Sequence, residues 1–293
     1  MRTSSRFCIA CLIIAGFTLP LFADKNGTSD IAKPNTHTTL SKQIEIKSFQ
    51  SHALQKEIPF AVVSPSGNSP PEGWPTLFLL HGRGRNHLSL IEDAQSCSNL
   101  LGQPYLIVLP MTFDGWYINS QTDPKAKYSD ALKELEIIVA NDYPINKSRN
   151  QQAIAGWSMG GYGTLYHATH RPEQYAYAAA MIGLVDFPRP ETLPEGQNYE
   201  VPQIMFGNDP KIWRTFNPRH NIENLRNTQV FLAIGEHAFD RTMNEKFLRD
   251  AEETSINIKA IRIPHAHTFQ AVQEALPLVL EDVRKFFEKG KFE

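Results

Sequence analysis

Ala153-Ile154-Ala155-Gly156-Trp157-Ser158-Met159-Gly160-Gly161-Tyr162-Gly163 is the stretch on which the reading turns. Its centre is Gly156-x-Ser158-x-Gly160. A short apolar run, Ala153 to Ala155, precedes it. Thr164 to His170 follows, with good helix formers and no breaker. The serine therefore sits where a strand turns sharply into a helix. Such a turn strains the serine backbone and brings strand and helix close, and flanking glycines remove the side chains that would clash. The hydroxyl is then pushed out at the end of a sheet, above a helix N-terminus. An incidental serine in a glycine-rich turn is the competing reading. Partners elsewhere in the chain decide between the two.

Working outward, strand-like and helix-like segments alternate. Ile44 to Ser48 and Ile58 to Val63 read as two early strands, and Pro65 to Pro75 as a surface loop with four prolines and two glycines. Thr76 to Leu80 and Tyr105 to Leu109 are apolar runs that fit buried strands. Leu88 to Leu101 has helical period. Asp130 to Asn141 reads as an amphipathic helix with Asp130 near its start. After the serine turn come strands over Tyr177 to Ile182, Val230 to Ile234 and Ile256 to Ile263, and a helix over Met243 to Glu253. Phe269 to Phe287 is a long terminal helix that Pro277 is expected to kink or split. Strands alternating with helices imply βαβ units, here a mostly parallel, doubly wound eight-stranded α/β sheet with helices on both faces and an antiparallel start.

Composition sets the remaining bounds. The 293 residues are 41% hydrophobic and 20% charged with net charge -2, an ordinary globular balance without the basic stripe of a nucleic-acid binder. Residues 1–23 read as a signal peptide: Arg2 and Arg6, then the apolar Phe7 to Phe17, then Leu21-Phe22-Ala23 as a cleavage site. An exported, periplasmic or secreted, protein is expected, with no membrane span in the mature chain. Residues 24–41 read as a flexible leader. Residues 42–293 form a single domain with a small insertion around 184–216, a natural place for a cap or pocket wall. Cys8 and Cys11 leave with the signal and Cys97 remains alone, so no intramolecular disulfide is expected. No Cys/His cluster has zinc spacing. Neither metal nor organic cofactor is expected, and no feature specifies an oligomer.

Open α/β sheets place ligands beyond the carboxyl ends of their strands, and three such ends carry chemistry besides the serine. His81-Gly82-Arg83-Gly84 follows the Thr76 to Leu80 strand. The backbone N–H groups of Arg83 and of Met159 are the candidate oxyanion donors, while His81 reads as a structural histidine. His267, in Pro264-His265-Ala266-His267, is preferred over His265 as the base a serine hydroxyl needs. The acid that orients the imidazole belongs in Gly235-Glu236-His237-Ala238-Phe239-Asp240. Asp240 is preferred there, with Glu236 the alternative. Trp116, Tyr117 and Trp157 are candidate pocket residues, with core packing as the other reading. Arg83 and Arg85 lie beside the oxyanion turn, where they pair with an anionic substrate group or simply face solvent.

The chain resembles the putative-esterase family of α/β-hydrolases, which includes esterase D, feruloyl and acetylxylan esterases and the bacterial mycolyltransferases. Leu79-Leu80-His81-Gly82, Gly115-Trp116-Tyr117-Ile118-Asn119-Ser120, the stretch around Ser158, His170-Arg171-Pro172, Gly235 and Pro264-x-x-His267 carry the resemblance. It implies Ser158 as nucleophile, His267 as base and the Arg83 and Met159 backbone as oxyanion hole. The family's acid stands three residues after the strand-end glycine, which is Ala238 here, so the acid is expected to have moved to Asp240. The function implied is an exported serine hydrolase cleaving carboxylic esters, with polysaccharide acetyl or feruloyl side-chain esters as the substrate class. Acyl transfer to a sugar hydroxyl, and a non-catalytic carbohydrate-binding member of the fold, are the alternatives.

Overall fold

The computed structural model describes residues 42–191 and 200–289. The expected signal peptide, the leader and the middle of the 184–216 insertion lie outside the described residues. Eight strands form one sheet: β1 (Ile44–Ser51), β2 (Lys56–Val63), β3 (Thr76–Leu80), β4 (Leu106–Pro110), β5 (Gln152–Trp157), β6 (Tyr177–Met181), β7 (Gln229–Gly235) and β8 (Ile258–Ile263). Their spatial order is β1-β2-β4-β3-β5-β6-β7-β8. β1, β2 and β4 pair antiparallel, and every pairing from β4 onward to β8 is parallel. The fold is the expected α/β-hydrolase architecture.

Strand alternation shows how the helices are divided between the faces. Phe78, Leu80, Leu106 and Val108 point into one core, together with Leu132 and Leu135 of α2 (Tyr128–Asp142), Tyr162 and Leu165 of α3 (Met159–His170) and Phe247 of α6 (Arg241–Glu253). Leu77, Leu79, Ile107 and Leu109 point into the other, with Leu100 of α1 (Ala94–Leu100) and the Val272, Leu276 and Val279 stripe of α7 (Phe269–Lys289). A period of two in a strand feeds two opposite cores, so the central strands read as unbroken apolar runs.

Three local expectations change. The first helix starts at Ala94 rather than Leu88, because Asp93 caps it by accepting from the Ser96 N–H at 2.9 Å. The second starts at Tyr128. Asp130 lies within its first turn and accepts from the Asn119 side chain at 2.9 Å instead of capping. α7 continues past Pro277 as one helix. Burial of Val272, Ala275, Leu276, Val279, Leu280 and Val283 on both sides of the proline holds the two halves in line against the sheet. That packing offsets the roughly 3 kcal/mol that an interior proline costs.

The described part of the insertion contains two short helices, α4 (Gln203–Phe206) and α5 (Pro210–Phe216). Phe187, Phe206 and Phe216 extend the α3-side core. The Ser120 and Thr122 hydroxyls both donate to the Ile204 carbonyl, fastening the insertion to the loop after β4.

Candidate active site

The β5–α3 junction presents Ser158 with φ 54° and ψ -118°, a region that non-glycine residues rarely occupy. Neighbouring glycines make the turn sterically feasible. A Cβ on Gly156 would stand 2.5 Å from the Gly160 carbonyl oxygen, and one on Gly160 would stand 2.3 Å from the Leu80 carbonyl oxygen. Backbone bonds fix the turn. The Ser158 N–H donates to Met181 O at 3.1 Å, and Ser158 O accepts from the Tyr162 N–H at 3.0 Å. The residue is only 8% exposed.

Two more strand ends bring partners to that hydroxyl. His267, between β8 and α7, places Nε2 at 2.8 Å from Ser158 Oγ. Its Nδ1 lies 2.6 Å from Asp240 Oδ1. A carboxylate can only accept, so Nδ1 carries the hydrogen and Nε2 keeps its lone pair for the serine proton. The Phe239 ring packs tilted against the imidazole, at 4.4 Å between centroids and 34° between planes. His265 instead meets Glu274 at 2.7 Å and faces away from the serine.

Asp240 is fully buried, at the N-cap of α6. Its Oδ2 accepts from Asn244 Nδ2 at 3.0 Å, and that same amide donates to Gly183 O at 2.9 Å. One turn closes from the Ala238 N–H to Gly235 O and a second from the Arg241 N–H to Ala238 O. The extra turn explains how an acid five residues past Gly235 reaches the imidazole. Glu236 is half-buried and gives its carbonyl, not its carboxylate, a role: it accepts from Arg241 Nη1 at 3.2 Å.

The turn after β3 closes over the serine. A Cβ on Gly82 would come within 3.4 Å of Ser158 Cβ, which measures how near this backbone runs. Asp114 Oδ1 accepts from the Gly84 N–H at 2.8 Å, and the Arg85 N–H donates to Gly82 O at 3.2 Å. The turn is thereby pinned with Arg83 at its apex. Met159 is the first residue of α3, where helix N–H groups lack intrahelical acceptors and the helix dipole is positive. His81 is buried beneath the turn. Its Nδ1–H donates to Gly82 O at 2.8 Å and its Nε2 accepts from the Thr112 N–H at 3.2 Å. Burial lowers its pKa to about 4, so it stays neutral and structural.

Two of the candidate pocket residues do not line the cleft. Trp116 and Tyr117 are core residues, 1% and 0% exposed. Trp116 stacks on Phe187 at 4.6 Å between centroids. Tyr117 donates its hydroxyl to His81 O at 2.9 Å, and its own carbonyl meets His167 Nε2 at 2.9 Å. Both residues have positive φ, 53° and 60°, which turns their rings inward under the β3 turn. Trp157, by contrast, does line the cleft, together with Gly82, Arg83, Arg85, Ser158, His267 and Phe269. None of the described insertion residues borders it. Phe269 and Asn244 were not singled out as site residues from sequence. Phe269 sits two residues after His267 at the start of α7, and that adjacency was its one available signal. Among the described residues no cluster of three or more His, Cys, Asp or Glu side chains forms a metal-ligand set, and no helix is long and apolar enough to cross a membrane.

A serine at a strained strand–helix elbow on a doubly wound sheet, with histidine and carboxylate arriving from later strand ends, defines an α/β-hydrolase. The chain belongs to the Putative esterase family, whose model matches residues 51–273. It is 25% identical over 212 residues to an esterase of Mycobacterium tuberculosis, covering 66% of this chain and 46% of that protein. The chain thus matches about half the length of that curated relative. Among solved structures it resembles the fluorophosphonate-binding serine hydrolase F of Staphylococcus aureus, with TM-score 0.71, 18% identity and coverage of 82% and 98% of the two chains. It also resembles a ferulic acid esterase of Anaeromyces mucronatus, with TM-score 0.60, 16% identity and coverage of 86% and 95%. At these identities the likeness concerns the fold.

Proposed function

We propose that this protein is a serine hydrolase of carboxylic esters, and that it is exported. One observation carries the catalytic reading: the unbroken chain from Ser158 Oγ to His267 Nε2 at 2.8 Å and from His267 Nδ1 to Asp240 Oδ1 at 2.6 Å. Ser158 Oγ attacks the acyl carbon while its proton passes to His267 Nε2. Negative charge develops on the former carbonyl oxygen, facing the backbone N–H groups of Arg83 and Met159. Such donors contribute about 3–4 kcal/mol at a transition state. The Asp240 carboxylate stabilises the imidazolium, whose Nε2 proton then goes to the departing alcohol. Water repeats the sequence on the acyl-enzyme, giving its proton to His267 and releasing the acid.

The cleft also bears on the substrate. Its volume is about 180 Å3, below the roughly 300–1,000 Å3 of sites that enclose drug-sized ligands. Among the described residues its aromatic lining is Trp157 and Phe269, while Trp116 and Tyr117 lie in the core. A polysaccharide side-chain ester, acetyl or feruloyl, is the substrate class that suits export. Arg2, Arg6 and the apolar Phe7 to Phe17 support export.

The decisive experiment is hydrolysis of 4-nitrophenyl acetate by the purified protein, together with fluorophosphonate labelling. Turnover, and labelling that Ser158→Ala abolishes, are expected. Absence of both refutes the reading. N-terminal sequencing of material recovered outside the cytoplasm should begin at Asp24.

A further inference from the structure

The cleft beside Ser158 is asymmetric in charge. Of its ten lining residues, Arg83 and Arg85 are the cations and none is a carboxylate, with Asp114 the acid that meets this turn, at the Gly84 N–H. The whole chain carries a net charge of -2, so this positive mouth is a local feature and not the general field of the molecule. Arg85 is also positioned. Its guanidinium carbon stands 4.9 Å above the Phe269 ring, and Phe269 packs edge-on to Trp157, the residue preceding the nucleophile. An arginine held on an aromatic face presents its N–H fork at the rim instead of sweeping through solvent. The turn bearing both arginines is itself tied down: the exposed Asp114 takes the Gly84 N–H, and Arg85 N–H closes on Gly82 O. The N-terminus of the twelve-residue α3 adds positive potential at the same point.

From this geometry we infer that the cleft selects esters whose alcohol portion carries a carboxylate near the scissile bond, with Arg85 as the principal recognition group. The inference rests on the ester-hydrolase reading and names its substrate class. The alcohol side is the one indicated because Arg83 and Arg85 stand exposed at the rim of the cleft, through which the departing portion of the substrate extends. A cleft this small keeps Arg85 within reach of a carboxylate a few bonds from the ester oxygen. An acetylated hydroxyl on a sugar acid has that shape, and an acetylated neutral sugar lacks the charge.

The test compares 4-acetoxybenzoate with the uncharged 4-acetoxybenzamide, with rates corrected for alkaline hydrolysis of each. In parallel, mono-4-nitrophenyl glutarate is compared with 4-nitrophenyl pentanoate, which moves the charge to the acyl side. A preference for 4-acetoxybenzoate of about two- to five-fold in kcat/KM is expected, the strength of one solvent-accessible ion pair to Arg85. The ratio should collapse toward one in Arg85→Gln and persist in Arg226→Gln, a change outside the cleft. In the unaltered enzyme it should also fall in about 1 M NaCl, where screening acts within roughly 3 Å. Equal rates on the first pair, a preference confined to the acyl-side pair, or a ratio that survives Arg85→Gln each overturn the inference while the hydrolase reading stands. If no ester is turned over and no fluorophosphonate is incorporated, the hydrolase reading itself has failed and takes this inference with it.

Discussion

Asp240→Asn isolates one bond in the hydrogen-bonded chain at Ser158. The carboxylate sits at zero exposure between two donors, His267 Nδ1–H at 2.6 Å and Asn244 Nδ2–H at 3.0 Å. An amide has one accepting and one donating end, so it cannot serve both. If its oxygen faces His267, its NH2 meets the Asn244 NH2, and two buried donors oppose each other. If its NH2 faces His267, the ring must put its hydrogen on Nε2 and can no longer accept the serine proton. Either way the reactive tautomer is lost, and in a comparable triad the same exchange lowers kcat about 10⁴-fold. The expected fall in kcat/KM on 4-nitrophenyl acetate is about 10³–10⁴, or about 4–5 kcal/mol of transition-state stabilisation. The far-UV spectrum should be unchanged. Glu236→Gln, at a half-buried carboxylate that reaches no imidazole, should cost less than about threefold, within the small effects usual for substitutions away from the core. Asp240→Asn retaining a tenth of the activity, or Glu236→Gln costing the more of the two, would refute the assignment.

Other outcomes follow from the same geometry. Ser158→Ala should abolish turnover, while Ser158→Gly, equally inactive, should unfold in urea with about 1 kcal/mol more stability than the alanine variant. Glycine relieves the strain at φ 54°, less its own entropic cost. Asn244→Leu removes the donor to Asp240 Oδ2, and kcat/KM should drop about tenfold, with a smaller change in KM. Gly156→Ala should unfold at lower urea by about 3 kcal/mol, since its Cβ would stand 2.5 Å from the Gly160 carbonyl oxygen. His81 gives a pH dependence. Its folded pKa of about 4 lies below the unfolded value near 6.5, so the unfolded chain binds the extra proton first. Stability from this group is complete above pH 6.5 and is lost as pH falls toward 4. About 2 kcal/mol should be gone by pH 5 in urea titrations. His81→Gln should flatten that slope; a slope unchanged by the substitution would exclude His81 as its source.

Much of the arrangement was readable before any coordinates. The central strands announced themselves as unbroken apolar runs because both faces are buried, and Ser158 announced itself through glycines that only a tight elbow requires. Chain order and strand ends pointed to His267 and, with Glu236 as the alternative, to Asp240, and the two side chains meet at 2.6 Å. What failed to show was set by distant packing. Trp116 and Tyr117 follow a loop glycine and look like pocket walls, yet two positive φ angles turn them into the core, where Phe187 and His81 meet them. No local pattern encodes that inversion. The same holds for Pro277, whose breaking tendency is overridden by a buried stripe running past it on both sides. Phe269 became visible as a site residue only once α7 was placed beside the β3 turn.

The position of Asp240 has one more consequence. Because it begins α6 instead of ending a loop, its carboxylate is rigidly coupled to that helix, and Met243, Phe247 and Ala251 anchor the helix in the core. Fraying of the first turn of α6 would withdraw the carboxylate while leaving the sheet whole. On heating, activity should therefore disappear some degrees before the sheet melts, and a stabilised α6 should narrow the gap between the two temperatures. Loss of activity ahead of sheet melting would make the helix a thermal fuse for the chemistry at Ser158.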